Sequence, residues 1–293
     1  MDIYDTIRVK TKRPIGFLWH FGHFMHDFLM PMNDYLKALR PDSSYKLKVI
    51  LFAACVNEAA VLNHTARLLK KDDFLGDFIA IAEKFLNIEV QYEYGRTFSR
   101  LNNIKMHVVR PYSFGPYFPQ TFDSLIDRAH EVYDLQPCKK YPPVILIERG
   151  CKPLSANRIG CQWTKTGSAI RTIENHGELK EALSNKYGDS FINVRLEDMP
   201  FEEQIALFKD ARLVVAQHGA GMCNIAWMVN KGATVLELPP VRFQTFANMC
   251  SAKQLDYRVI FRRWVKDAPA PARVDVTQIM SMLSDIDVGA VRT

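Results

Sequence analysis

The sequence predicts an α/β protein built on parallel, doubly wound sheets. Three observations carry that prediction. Short apolar runs rich in Val, Ile and Leu alternate with amphipathic stretches of helical period, above all in the second half. One such run, Leu213-Val214-Val215-Ala216, precedes His218-Gly219-Ala220-Gly221. An apolar segment ending at Lys231-Gly232 then leads to a second run, Thr234-Val235-Leu236-Glu237-Leu238. That order reads as strand, tight turn, helix, strand. No internal repeat or low-complexity tract interrupts the alternation.

Along the chain, Arg8 to Arg13 carries interleaved basic residues and reads as a solvated arm. Phe24, Phe28, Leu29, Met32, Leu36 and Leu39 recur at helical spacing. Pro31 cannot donate to the Asp27 carbonyl. Either the helix runs through and is strained there, or Pro31 opens it; both place Asp27 at an irregularity. A strand-like run spans 46–52, helical stretches follow at 56–70 and 73–86, strand-like runs at 88–94 and 104–109, and a helix at 122–133. The polar, proline-rich segment from Gln136 to Pro143 marks a domain boundary, giving domains at 1–138 and 139–267. Beyond it come strands at 144–147, 191–194, 213–216, 235–238 and 257–261, with helices at 177–187, 201–211 and 243–255 between them. A Pro/Ala stretch, Ala268 to Ala272, precedes a last helix near 276–283. Residues 268–293 thus form a linker and helix, free to pack back on the N-terminal domain.

The composition is that of a soluble globular protein: 293 residues, 48% hydrophobic and 24% charged, enough for one large domain or two moderate ones. A net charge of +6 suits an anionic ligand, but no dense Lys/Arg block suggests nucleic acid. None of the six cysteines forms a Cys-x-x-Cys pair, so neither a zinc site nor a disulfide framework is expected. No segment approaches the ~20 apolar residues of a membrane span, and Asp2 and Asp5 argue against a signal peptide. The expectation is a soluble, cytoplasmic chain, or one trimmed from an anchor.

The chemistry concentrates in few places. Gly219, Ala220 and Gly221 leave a helix start without bulky side chains. Its free N–H groups and positive dipole end suit a phosphate or diphosphate, with His218 on the turn as a further donor. Arg149 ends the strand from Val144, and Arg171 and Asn175 lie in Ile170-Arg171-Thr172-Ile173-Glu174-Asn175; a guanidinium at that crevice pairs well with phosphate oxygens. Glu237, at a strand end, either accepts from ribose or sugar hydroxyls or is a solvated or salt-bridged glutamate. His20, His23 and His26 are spaced by three, a pattern that fits packing, surface or metal-binding residues. His26-Asp27 is the better acid/base pair. Walker A, Gly-x-Gly-x-x-Gly and Gly-x-Ser-x-Gly patterns are absent, which weakens P-loop, dinucleotide and serine-hydrolase readings. Asp285-Ile286-Asp287 has the form of a metal-binding Asp-x-Asp but lies at the C-terminus. Trp163 and Phe243 are aromatic candidates for a base, no better than packing residues.

Taken together, Asp198-Met199-Pro200-Phe201-Glu202-Glu203-Gln204-Ile205, Ala211, Val214 to Ala216, His218 to Gly221, Asn224 and Val235 to Leu238 resemble the C-terminal region of glycosyltransferase family 61. Ile147-Glu148-Arg149 and Arg171-x-Ile173-x-Asn175 also match its pattern, with Glu148 where serine is common. His23-Phe24-Met25-His26-Asp27-Phe28 is similar to its N-terminal His/Asp helix motif.

The resemblance implies a GT-B architecture, two Rossmann-like domains facing a cleft. It implies an inverting transfer without metal or other cofactor, from a UDP-sugar donor to a hydroxyl of a glycan or glycoconjugate acceptor. UDP-xylose and UDP-N-acetylglucosamine are the donors it suggests. Arg149, Arg171, Asn175, His218, Gly219, Ala220, Gly221, Asn224 and Glu237 would then hold the donor, and Asp27, with His26 beside it, would supply the base. The missing anchor implies a bacterial, viral or trimmed enzyme. Two rivals are a non-catalytic sugar-nucleotide or glycan-binding module and a metal-dependent hydrolase using the N-terminal histidines.

Overall fold

The computed structural model describes residues 6–10, 21–39, 47–53, 74–94, 117–133, 135, 141–149, 172–239, 244–260 and 272–288. The helix expected at 56–70 and the strand expected at 104–109 lie outside them. The described residues divide into two compact units, the first ending by Ser113 and the second beginning at Phe114.

The first unit carries a three-stranded parallel sheet in the order β1 (Thr6–Lys10), β2 (Leu47–Ala53), β3 (Ile88–Tyr94). Strand β1 is a correction to the sequence reading, which took the basic stretch here for a solvated arm. Ile7 and Val9 alternate with Arg8 and Lys10, a half-buried strand pattern, and β1 pairs with β2 from Thr6↔Lys48 to Lys10↔Phe52. Charge alternation obscured it; among the described strands β1 pairs on one side only.

Helix α1 is built of three consecutive segments: Phe21–His23, a π-helical stretch Phe24–Leu29, and Met30–Leu39. The helix therefore runs through Pro31, and the widened turn sits immediately upstream, over the residues whose carbonyls the proline cannot serve. Of the predicted apolar stripe, Phe24, Phe28, Leu29, Met32 and Leu36 are buried, as is Met25 beside them; the Leu39 side chain lies outside what the structure describes. Helix α2 (Phe74–Leu86) covers α1 through Phe78, whose ring stacks on Phe24 at 4.9 Å between centroids.

The second unit begins with helix α3 (Pro119–Val132) and carries five parallel strands: β4 (Val144–Ile147), β5 (Phe191–Val194), β6 (Leu213–Gln217), β7 (Thr234–Leu238) and β8 (Asp256–Val259). Their order, β5-β4-β6-β7-β8, is doubly wound. The order reverses between β4 and β6, which pair directly, Val144↔Leu213 to Leu146↔Val215. On one face, Val144, Leu146, Leu213, Val215, Leu236 and Leu238 form a core with Leu179 and Leu183 of α4 (His176–Tyr187) and with Ile279 of α7 (Val276–Met282) and Leu283 just beyond it. The C-terminal helix, expected to be free to pack back on the N-terminal domain, thus belongs to the second unit's core. The other face carries α5 (Phe201–Lys209), α6 (Thr245–Lys253) and α3, the last expected before the domain boundary. Lys253 of α6 lies over the Phe122 ring of α3 at 4.8 Å.

Between β6 and β7 the sequence predicts an α-helix; the structure has a 3₁₀ helix, Ala220–Trp227. Eight residues at about 2 Å rise span about 16 Å, the length of a five-residue strand, whereas an α-helix would fall short. Met222 to Trp227 are all buried, so there is no solvent face to favour α-helical amphipathicity. Asp285 pairs with Arg258 at 2.6 and 2.7 Å, which accounts for the first acid of the Asp-x-Asp motif.

Candidate functional site

The carboxyl ends of β4 and β6 meet at the reversal of strand order, where doubly wound sheets place ligands. Arg149 follows β4 and His218 follows β6. The Arg149 guanidinium donates to the His218 carbonyl at 3.1 Å, which brings these two residues of the second unit together at the strand ends.

Gly219 makes that contact possible. Its backbone is extended, so conformation does not demand glycine; space does. A Cβ here would lie 1.6 Å from the Arg149 terminal nitrogen and 2.8 Å from its Cζ. The room freed by the missing side chain is occupied by the guanidinium, which is pressed against the turn. Gly221 is packed differently: a Cβ there would meet Leu196 at 3.0 Å and Ile147 at 3.6 Å. Ala220 opens the 3₁₀ helix and is partly accessible.

His218 is buried and oriented from two sides. Nδ1 hydrogen-bonds Glu237 Oε1, and the ring stands edge-on to Phe246 with centroids 5.2 Å apart. Glu237 has no exposed surface, and its second oxygen accepts from Tyr257 Oη at 2.5 Å. Burial, and after it the bond to Glu237, raises the Tyr257 pKa far above that of free tyrosine, so this phenol stays a donor. Both Glu237 oxygens are thus engaged by protein groups, one by His218 and the other by Tyr257. Neither Tyr257 nor Phe246 carries a sequence signal for this role, because only the parallel register brings β7 and β8 under the turn.

Asn224 and Asn175 are also spent internally. Asn224 has no exposed surface; its amide donates to Gln204 Oε1 at 2.9 Å and Gly221 O at 3.2 Å and accepts from Trp227 Nε1 at 3.1 Å. Gln204 in turn donates to the carbonyls of Leu196 and Met199. Asn224 therefore fastens the 3₁₀ helix. Asn175 clamps Val274, donating to its carbonyl and accepting from its N–H, both at 3.0 Å. Arg171, Trp163 and Phe243 lie outside the described residues.

Glu148 turns from Arg149 toward β5. Asn193 donates to Oε2 at 2.6 Å and Arg195 Nε to Oε1 at 2.9 Å. Burial pushes its pKa upward, but these bonds and the Arg195 charge outweigh it and hold the carboxyl below the usual range.

In the first unit, His26 is buried and Asp27 partly exposed, both on the π-helical stretch of α1. Such stretches recur at functional sites because they re-aim side chains out of helical phase. His20 lies outside the described residues, and the His23 side chain is not described. Among the described residues no three His, Cys, Asp or Glu gather as a ligand set, and no helix is long and apolar enough to cross a membrane.

Residues 21–236 match the family Glycosyltransferase 61, a span that includes the π-helical stretch, Arg149, His218 and the first three residues of β7, Thr234 to Leu236. The chain belongs to that family. A 70-residue stretch is 37% identical to protein O-linked-mannose β-1,4-N-acetylglucosaminyltransferase 2 of Canis lupus familiaris, covering 24% of this chain and 12% of that relative's length. The crystal structure of the glycosyl transferase family 9 from Veillonella parvula DSM 2008 aligns over 98% of this chain and 90% of its own, at 12% identity and a TM-score of 0.35.

Proposed function

We propose that this chain is an inverting glycosyltransferase that moves a sugar, xylose or N-acetylglucosamine, from a UDP-sugar to a hydroxyl of a glycan or glycoconjugate, without a metal. The observation that carries the reading is the Arg149 guanidinium seated on the His218–Gly219 turn at the reversal of strand order. Family membership supports the reaction class.

In this reading the donor diphosphate lies against Arg149 and the Gly219–Gly221 turn. The acceptor hydroxyl attacks the anomeric carbon, the bond to the diphosphate breaks, and UDP leaves. Negative charge grows on the leaving group, and fixed donors stabilise it most where water is excluded. Glu237 and Tyr257 act through His218, holding its ring against the turn. The hydroxyl's proton passes to a base, Asp27 with His26 beside it.

The test is turnover of UDP-xylose and UDP-N-acetylglucosamine, read as UDP release, with and without EDTA. Asp27→Asn is expected to lower kcat by about 10²–10⁴-fold while UDP affinity is kept; near-normal turnover in that variant overturns the base assignment. Loss of activity in EDTA, restored by manganese, overturns the metal-free mechanism. Binding of UDP-sugars with neither transfer nor hydrolysis would instead identify a sugar-nucleotide binding module.

A further inference from the structure

Gln217, the last residue of β6, is unusual in carrying a polar side chain at the end of a buried strand. It is 7% exposed, and its amide nitrogen is shielded from solvent with no hydrogen-bond partner among the described residues. Buried donors without partners are rare in folded proteins, and each one calls for an explanation.

The neighbouring strands show why the protein does not supply one. By strand alternation Gln217 projects on the same face as Leu213 and Val215. Its register partner on β7 is Leu238, which is apolar. On the β4 side, Leu146 pairs with Val215, so the residue in phase with Gln217 is Glu148. Both Glu148 oxygens are occupied by Asn193 and Arg195, on the side away from β6. The amide is left between an apolar side chain and a carboxylate turned elsewhere, one residue before His218.

We propose that Gln217 is a ligand-contacting residue of the donor site, giving its side-chain N–H to a hydroxyl or carbonyl oxygen of the sugar nucleotide. This rests on the reading of the crevice as a nucleotide-sugar site. Two observations point the same way independently: the unpartnered buried donor, and its place at the carboxyl end of β6 where the strand order reverses. A carboxamide offers a donor and an acceptor side by side. It therefore suits a sugar hydroxyl or the imide edge of a pyrimidine, and its terminal torsion turns readily to present either atom.

The experiment compares wild type with Gln217→Met, of similar length but without the amide, by titration calorimetry against UDP and UDP-N-acetylglucosamine and by thermal melting. The expected result is affinity weaker by about tenfold at a melting temperature equal to or above that of wild type, since the variant removes a buried donor that lacks a partner. A loss seen only with the UDP-sugar places the contact on the sugar; an equal loss with UDP places it on the nucleotide. Unchanged affinity for both, with the higher melting temperature, overturns the proposal and leaves the donor site standing. If wild type binds neither compound, the nucleotide-sugar reading falls and this inference falls with it. Should the methionine variant not fold, Gln217→Leu carries the same comparison.

Discussion

Gly219→Ala isolates the contact on which the proposed donor site depends. The new methyl would stand 1.6 Å from the Arg149 terminal nitrogen, 2.8 Å from Cζ and 3.6 Å from Nε. Ordinary contact begins near 3.5 Å, so the guanidinium must retreat by about 2 Å. That retreat breaks its 3.1 Å bond to the His218 carbonyl and withdraws it from the turn. The backbone at Gly219 is extended, a conformation alanine adopts freely, and only the end of a flexible side chain is displaced. Stability should therefore fall by less than about 1 kcal/mol, a shift of a few degrees in Tm. Ligand binding should suffer more. A hydrogen bond from a charged group contributes about 1.5–3 kcal/mol, so UDP affinity should fall by about 10- to 150-fold. Calorimetry on wild type, Gly219→Ala, Arg149→Ala and the double variant forms a cycle. If alanine acts by evicting Arg149, the double variant binds no worse than either single one. Wild-type affinity in Gly219→Ala would refute the role of the guanidinium, and fully additive losses would show that the methyl acts on something else.

Other consequences can be measured. Glu237→Ala leaves His218 Nδ1 and Tyr257 Oη without their shared acceptor; two such groups at about 1–3 kcal/mol each should lower Tm by about 5–15 °C, while Glu237→Gln, which keeps an acceptor, should lose less. A thermal melt of the two variants checks the order. Lys253, on α6 against Phe122, has its amine pulled by burial from 10.5 to about 8. Between those values the unfolded chain holds more protons, so stability should rise as pH increases from 8 to 10.5. Lys253→Met should abolish that rise and be more stable than wild type at pH 7 by about 1–3 kcal/mol, read from urea midpoints at pH 7 and 10.

Much of the second unit was legible because its strands are buried on both faces. Val144–Ile147, Leu213–Gln217 and Thr234–Leu238 are near-continuous apolar runs, and such runs leave little choice but a parallel sheet. The place of Arg149 and His218 followed from counting to the strand ends. What lay beyond reach was tertiary. Thr6–Lys10 reads as an arm because its basic residues interrupt the apolar ones, and its pairing with β2 is a long-range contact. Glycine at 219 gives no hint in the sequence that its space holds the guanidinium of Arg149, 70 residues away. Asn175, Asn224 and Glu237 are polar residues of the kind that meet substrates, yet their partners are Val274, Gln204 and Tyr257, up to 99 residues away in sequence. The proline at 31 signalled an irregular helix but not its form, since a π-helical stretch depends on what packs around it.

The fastening of the 3₁₀ helix has a thermodynamic consequence. Because Asn224 ties the segment to Gln204 and Trp227 while Met222 to Trp227 are sealed in the interior, the turn that follows His218 is rigid before any substrate arrives. As the wall of the proposed donor site, a segment already ordered costs little configurational entropy on binding, and its dipoles need not reorganise as charge develops. Amide hydrogen exchange across Met222 to Trp227 should consequently be slow in the empty protein and change little on saturation with nucleotide, so that whatever motion accompanies turnover is borne by other parts of the chain.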